Sequence, residues 1–211
     1  MRLIIKQICL TVCSALFTIN SFQAQSTIDD TLVNLKSTSD EFLYDIRYAT
    51  ANNFLKSAFY DCPNCYLQPD VAEALYLANQ YFCELGYFIK LYDCYRPIAK
   101  QKLMWDAYPN PMYVANPYTK GSIHSRGAAV DLTLVDERGC ELDMGTPYDF
   151  FGRAAHIDHT NLPKEVIENR KLLQEGLLKF GFLTIRTEWW HFSYKANYRY
   201  KALDIPFNCE E

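Results

Sequence analysis

A single carboxylate, Asp131, interrupts the apolar run Ala128-Ala129-Val130-Asp131-Leu132-Thr133-Leu134-Val135. This run restricts the fold more than any other feature of the chain. Its β-prone composition predicts a strand over 128–135, with small Ala129 and Asp131 alternating on one face. Burying an unpaired charge is costly, so an acid in this position needs a metal, an arginine or a hydrogen-bond cage.

The surrounding pattern supplies both helices and strands. Pro69 opens a helical stripe of Val71, Leu75, Ala78, Phe82 and Leu85, and Gly86 stands where a C-terminal cap belongs. A strand is predicted over 87–92, a helix from Pro97 to about 107, and a second long helix over 163–180, closed by Gly181. Asp136-Glu137-Arg138-Gly139 reads as a hairpin turn joining 128–135 to a strand at 141–144. Aromatic strands follow at 182–186 and 189–194. Strands in neighbouring pairs with helices between the groups predict an α+β fold: one domain with a central, mainly antiparallel sheet flanked by helices. With 211 residues, no repeat and no linker-like stretch, one compact unit is expected.

The first 25 residues form a distinct segment. Arg2 and Lys6 precede an apolar stretch over 8–19 and a polar stretch over 20–25, the pattern of a secretory signal peptide. A membrane span needs about 20 apolar residues, and Thr11, Ser14 and Thr18 interrupt a shorter run. The expectation is an exported, periplasmic protein comprising residues 26–211, without a stable membrane anchor. Without Arg2 and Lys6, the 21 basic residues fall to 19 against 25 acidic ones, a net charge of −6. Nucleic acid is therefore not an expected partner; the oligomeric state is not legible.

Six cysteines remain beyond the leader: Cys62, Cys65, Cys83, Cys94, Cys140 and Cys209. An even count in an exported chain reads as disulfides, with 15 pairings open. Cys62-Pro63-Asn64-Cys65 lacks the second pair of a zinc ribbon and the βαβ context of a redox motif.

The four histidines are His124, His156, His159 and His191. His124 precedes the strand that carries Asp131, and His191 follows Glu188 by three residues in Glu188-Trp189-Trp190-His191-Phe192. Two imidazoles and one carboxylate, His124, Asp131 and His191, leave a tetrahedral Zn²⁺ one open position for water. Glu188 is then available to take that water's proton. Side chains three apart in a regular strand face opposite ways, so a shared site for Glu188 and His191 requires a bend or bulge at Trp189 or Trp190. Arg96, between an expected strand and Pro97, is placed to hold a developing oxyanion. His156 and His159 are expected in an exposed loop. Serine catalysis is not expected, since neither Gly-x-Ser-x-Gly nor Ser-x-x-Lys occurs.

Several blocks in order carry a family resemblance. Ser122-x-His124-x-x-Gly127-x-Ala129-x-Asp131, Glu188-Trp189-Trp190-His191-Phe192 and Tyr95-Arg96-Pro97, with Tyr44–Thr50, Asn53-Phe54 and Met144-Gly145-Thr146-Pro147-Tyr148-Asp149, resemble the zinc D-alanyl-D-alanine dipeptidases of the VanX type. The resemblance spans about 40–195. It implies one Zn²⁺ per chain on His124, Asp131 and His191, with Glu188 as general base and Arg96 stabilising the tetrahedral intermediate. It also implies a small dipeptide substrate whose ammonium is held by Asp149 and Ser122; Asp136 and Asp143 are alternatives to Asp149. Tyr148 and Trp190, with Trp189, would wall a cramped pocket. The implied activity is hydrolysis of D-Ala-D-Ala in the turnover of cell-wall fragments. The alternatives are a zinc D,D-carboxypeptidase or endopeptidase on murein stem peptides, and a catalytically inactive metal-binding module. Cys94 stands where the family usually has a small residue such as Gly, and a brace to Cys83 is expected, since a helix and the strand after it can bring those two together.

Overall fold

The computed structural model describes residues 27–28 and 32–209, so the predicted leader lies outside the described residues. The strands are β1 (Thr27–Ile28), β2 (Leu32–Asn34), β3 (Leu43–Tyr44), β4 (Tyr66–Leu67), β5 (Tyr87–Asp93), β6 (Ala129–Asp136), β7 (Phe182–Ile185) and β8 (Glu188–Tyr194). The helices are a single turn, α1 (Leu35–Thr38), then α2 (Pro69–Glu84), α3 (Ile98–Ala107) and α4 (Lys164–Lys179). The central sheet has the order β3-β5-β6-β8-β7, antiparallel except for the parallel β3–β5 pair, and a small sheet runs β1-β2-β4. This is the expected α+β arrangement.

Helix α2 packs on β5, α4 packs on β7, and the two helices pack on each other. Their contact is close because residue 176 is glycine: a Cβ there would lie 2.3 Å from Phe82 Cζ. In β6, Val130, Leu132 and Leu134, all fully buried, alternate with Ala129, Asp131 and Thr133, which divides the strand into an aliphatic face and a face carrying the acid.

The predicted hairpin partner of β6 is much shorter than a strand. Only Glu141 bridges to Val135, and Leu142 donates its N–H to the Leu134 carbonyl. Asp143 Oδ1 then accepts the Gly145 N–H, and this turn takes the chain away from the sheet.

Two irregularities in register position the site. Leu91 pairs with Leu132, but the next pair is Asp93 with Asp131, so β5 carries an extra residue and Asp93 stands opposite Asp131. On the other side, Thr184 pairs with Phe192 and Ile185 with Glu188, so Trp189, Trp190 and His191 bulge out of the β7–β8 ladder. This is the bend that the Glu188-x-x-His191 spacing demanded.

Candidate metal centre and its cavity

Asp131 and His191 are direct cross-strand partners. Their side chains therefore share a face, and His191 Nδ1 lies 3.0 Å from Asp131 Oδ1. His124 begins a one-turn 3₁₀ helix, His124–Arg126, closed by Gly127 at φ 63°. A Cβ at Gly127 would lie 3.3 Å from the Gln68 backbone nitrogen, which donates to the Gly127 carbonyl. That turn sets His124 Nε2 3.1 Å from His191 Nδ1 and 3.3 Å from Asp131 Oδ1.

Three donor atoms 3.0–3.3 Å apart fit one small divalent ion. Tetrahedral bonds of about 2.0–2.2 Å would set such donors about 3.3–3.5 Å apart. The remaining polar atom of each ligand is already engaged. His124 Nδ1 donates to the Cys94 carbonyl at 2.7 Å, His191 Nε2 is hydrogen-bonded to Ser193 Oγ at 3.0 Å, and Tyr148 Oη donates to Asp131 Oδ2 at 2.9 Å. The Cys94 carbonyl can only accept, so it leaves Nε2 of His124 facing the centre, and the Ser193 contact turns Nδ1 of His191 the same way. The ligand types and the separations suit Zn²⁺.

Burial opposes the charged form of Asp131, yet the His124 imidazole and hydrogen bonds from both imidazoles hold its carboxyl well below the usual range. Burial also disfavours a charged His124, but Asp131 and Asp93 outweigh it and raise that pKa. Burial keeps His191 below its ordinary value.

A cavity of about 250 Å³ opens on these ligands, at the small end for binding sites. Its walls include Arg96, Ser122, Asp149, Glu188 and Trp190. Burial, followed by the charges of Asp131 and Asp149, pushes the Glu188 carboxyl well above its ordinary range. Arg96 is nearly buried: Nε donates to Tyr60 Oη at 3.2 Å, Nη1 to Gln101 Oε1 at 2.8 Å and to Met104 Sδ, and Nη2 to Asp93. Four of the five guanidinium N–H groups are thereby taken, leaving one on Nη2.

Asp149 has a left-handed backbone, φ 60°. Its Oδ1 accepts from Tyr48 Oη at 3.0 Å, while Oδ2 is buried without a partner. Burial, then the charge of Asp131, pushes its pKa up to about 7. The alternatives serve surface turns: Asp136 Oδ1 accepts from Arg138 N and Cys140 N, and Asp143 Oδ1 accepts from Gly145 N. Ser122 Oγ accepts the His124 N–H at 3.2 Å.

Some expectations change. Tyr148 does not line the cavity but supports Asp131 from outside, and Trp189 turns its Nε1 to Thr146 Oγ1. Cys94 is bonded to Cys65, and Cys62 to Cys209, so the expected Cys83–Cys94 brace is replaced. The reason is location: Cys65 immediately precedes β4, and Tyr66 O accepts the Tyr95 N–H, which brings residue 65 beside residue 94. His156 is buried rather than exposed, because the Arg170 guanidinium reaches in from α4 to the carbonyls of Met144, Ala154 and His156. Sequence reasoning gave no role to Tyr48, Tyr60, Asp93, Gln101 or Ser193. Of these, Ser193 had a signal, since it lies two residues beyond His191 on the same strand face.

The chain matches the M15 peptidase family model, described as D-Ala-D-Ala dipeptidase, over residues 29–208. It belongs to the D-Ala-D-Ala dipeptidase family. It is 37% identical over 178 residues to the D-alanyl-D-alanine dipeptidase of Escherichia coli K12, covering 84% of this chain and 92% of that one. To the D-alanyl-D-alanine dipeptidase of Enterococcus faecalis V583 it is 31% identical, covering 80% and 91%. Among solved structures, the vancomycin resistance D,D-dipeptidase VanXYg in complex with a D-Ala-D-Ala phosphinate analogue matches with a TM-score of 0.39 at 21% identity. That match covers 78% of this chain and 66% of the other.

Proposed function

We propose that this chain is an exported zinc dipeptidase that splits D-Ala-D-Ala into two D-alanines during the turnover of cell-wall fragments. The observation that carries the reading is the donor triangle, His124 Nε2, Asp131 Oδ1 and His191 Nδ1, on the wall of a small cavity that also holds Glu188, Arg96 and Asp149. Membership of the dipeptidase family supports the same substrate.

In this reading His124, Asp131 and His191 would hold Zn²⁺, which would supply Lewis-acid activation of water and of the scissile carbonyl. Glu188, on the cavity wall beside the ligands, accepts the proton and returns it to the leaving amine. The remaining Nη2 N–H of Arg96 meets the charge that develops on the carbonyl oxygen. Asp149, with Oδ2 unpartnered, receives the substrate ammonium, and Ser122 lies on the same wall. Trp190 confines the space to small side chains. The intact ammonium site and the small cavity favour a dipeptidase over a carboxypeptidase on longer stem peptides.

Export is supported by the leader pattern of residues 1–25 and by two disulfides, which persist in oxidising compartments. A periplasmic enzyme meets wall fragments, whereas a dipeptidase protecting against glycopeptides would have to act in the cytoplasm. Fractionation of cells tests this assignment, and a mature protein recovered in the cytosol would refute it.

The activity test compares free with N-acetylated D-Ala-D-Ala, with and without a chelator. Free dipeptide should be hydrolysed, the blocked one should not, and the chelator should abolish turnover. Equal turnover of both substrates would remove the dipeptidase reading.

A further inference from the structure

The segment 203–209 touches the stretch that carries Tyr60, Tyr95 beside Arg96, and the first turn of α3. The Leu203 carbonyl accepts the Ile98 N–H, and the Leu203 N–H donates to the Ser125 carbonyl, next to His124. Asp204 Oδ1 accepts the Ala99 N–H in the first turn of α3, the helix that carries Gln101 and Met104 to the guanidinium. Ile205 exchanges two hydrogen bonds with Tyr95 Oη, at 2.9 and 3.1 Å. Phe207 is buried among Tyr60, Tyr66 and Tyr95, its ring centroid 4.8 Å from that of Tyr60. The end of the segment is fixed by the Cys62–Cys209 disulfide and by the Asn208 carbonyl, which accepts from Asn64 Nδ2 and Tyr66 Oη.

We infer that residues 203–209 are a strap that positions Arg96 for catalysis, with Phe207 as its positioning residue and the Cys62–Cys209 disulfide as its latch. The route from strap to site is Tyr60. Its hydroxyl donates to Asp93 Oδ1 at 2.8 Å and accepts from Arg96 Nε at 3.2 Å, so a displacement of the Tyr60 ring moves two partners of the guanidinium together. Phe207 stops that displacement by filling the far side of the ring. The disulfide closes a separation of 147 residues and holds the strap's end two residues from Tyr60. The metal ligands are anchored by other contacts, through Cys94, Tyr148 and Ser193, so the strap acts on the oxyanion donor and not on metal retention.

This inference rests on the assignment of Arg96 above, and the experiment separates the two. The zinc-loaded full chain is compared with Phe207→Ala, Phe207→Leu and the double variant Cys62→Ala/Cys209→Ala, each well below its melting temperature. Loss of one oxyanion donor costs about 10²–10³-fold in kcat, and a misplaced donor should cost part of that, about 10-fold. Phe207→Ala and the double variant should therefore lower kcat by about 10-fold and weaken binding of a phosphinate analogue of D-Ala-D-Ala by the same factor. KM and one zinc per chain should be retained, and Phe207→Leu should regain most of the loss. In an Arg96→Ala background, Phe207→Ala should add nothing. An unchanged kcat, a loss that tracks lost zinc, or an undiminished loss in the Arg96→Ala background would each reduce the strap to a stability element and overturn the inference. A fully active Arg96→Ala variant would instead sink the assignment of Arg96, and the strap's role with it.

Discussion

Replacing Asp149 with Asn should stabilise the metal-free fold while weakening the enzyme. In the native chain the Asp149 carboxyl is pushed up to about 7, by burial first and then by Asp131; in an unfolded chain an Asp titrates near 3.9. Between those values the folded state keeps a proton that the unfolded state has released, so stability falls as pH rises from about 4 to about 7 and is level above that. A difference of about 3 units at 1.36 kcal/mol each amounts to about 4 kcal/mol. Asn cannot ionise, tolerates the left-handed backbone of this position and keeps an oxygen for Tyr48. Relative to the native chain, the variant should therefore gain about 4 kcal/mol between pH 4 and pH 8, on the order of 10 °C in melting temperature for a chain of this size. The assay is thermal or urea unfolding of metal-free protein across that pH range, paired with kcat/KM of the zinc-loaded form. Loss of a buried charge partner costs about 2–5 kcal/mol, so kcat/KM for free D-Ala-D-Ala should fall about 10²-fold or more. Parallel stability curves for variant and native chain would refute the electrostatic argument, whatever the kinetics showed.

Other outcomes follow from the same geometry. Glu188→Gln should lower kcat by about 10²–10⁴-fold with one zinc per chain retained, since the donor triangle does not include it; a loss of metal in proportion to activity would refute its role as base. Ser193→Ala and Tyr148→Phe each free the outer atom of a ligand, and should weaken zinc affinity about 10–100-fold in a competition titration with a chelating dye; unchanged affinity would show that these contacts do not orient the ligands. Gly176→Ala puts a methyl 2.3 Å from Phe82 Cζ, and should cost about 1–3 kcal/mol of stability with activity per folded molecule unchanged; a neutral melting temperature would contradict the packing of α2 on α4.

The parts of the site legible in sequence are those written within one strand or one turn. Asp131 could be read because an acid in an apolar strand demands partners, and the bulge could be read because Glu188 and His191 differ by an odd number of residues. The helices at 69–84 and 164–179 announced themselves through proline at one end and glycine at the other. Contacts that depend on how far apart segments fold together were not legible. Tyr60 reaches Asp93 across 33 residues from a loop without periodic pattern, and Cys94 meets Cys65 only because β4 and the end of β5 are brought together. Asp149 lies on the cavity wall as expected, but Tyr148 does not: the backbone turn at Asp149 sends the tyrosine behind the ligands. His156 was misjudged because a polar loop reads as exposed until a buried arginine from another element satisfies its carbonyls.

The charges of the site explain why it must bind cations. Four carboxylates meet at the site, Asp93, Asp131 and Glu188 buried and Asp149 half-buried, and two of them have their charge answered within the chain. Asp93 is held by Arg96 and Tyr60, and Asp131 by the two imidazoles. For Asp149 and Glu188 the cation that lowers them is the Arg96 guanidinium, already engaged by Asp93, and each is driven toward its neutral form by burial and by the remaining negative charge. A divalent ion on the donor triangle would offset the field of Asp131 that raises both, and an ammonium against Asp149 would restore its carboxylate. Glu188 would then be the one acid left without a permanent counter-charge, which is the condition under which a carboxyl gives and takes a proton near neutral pH.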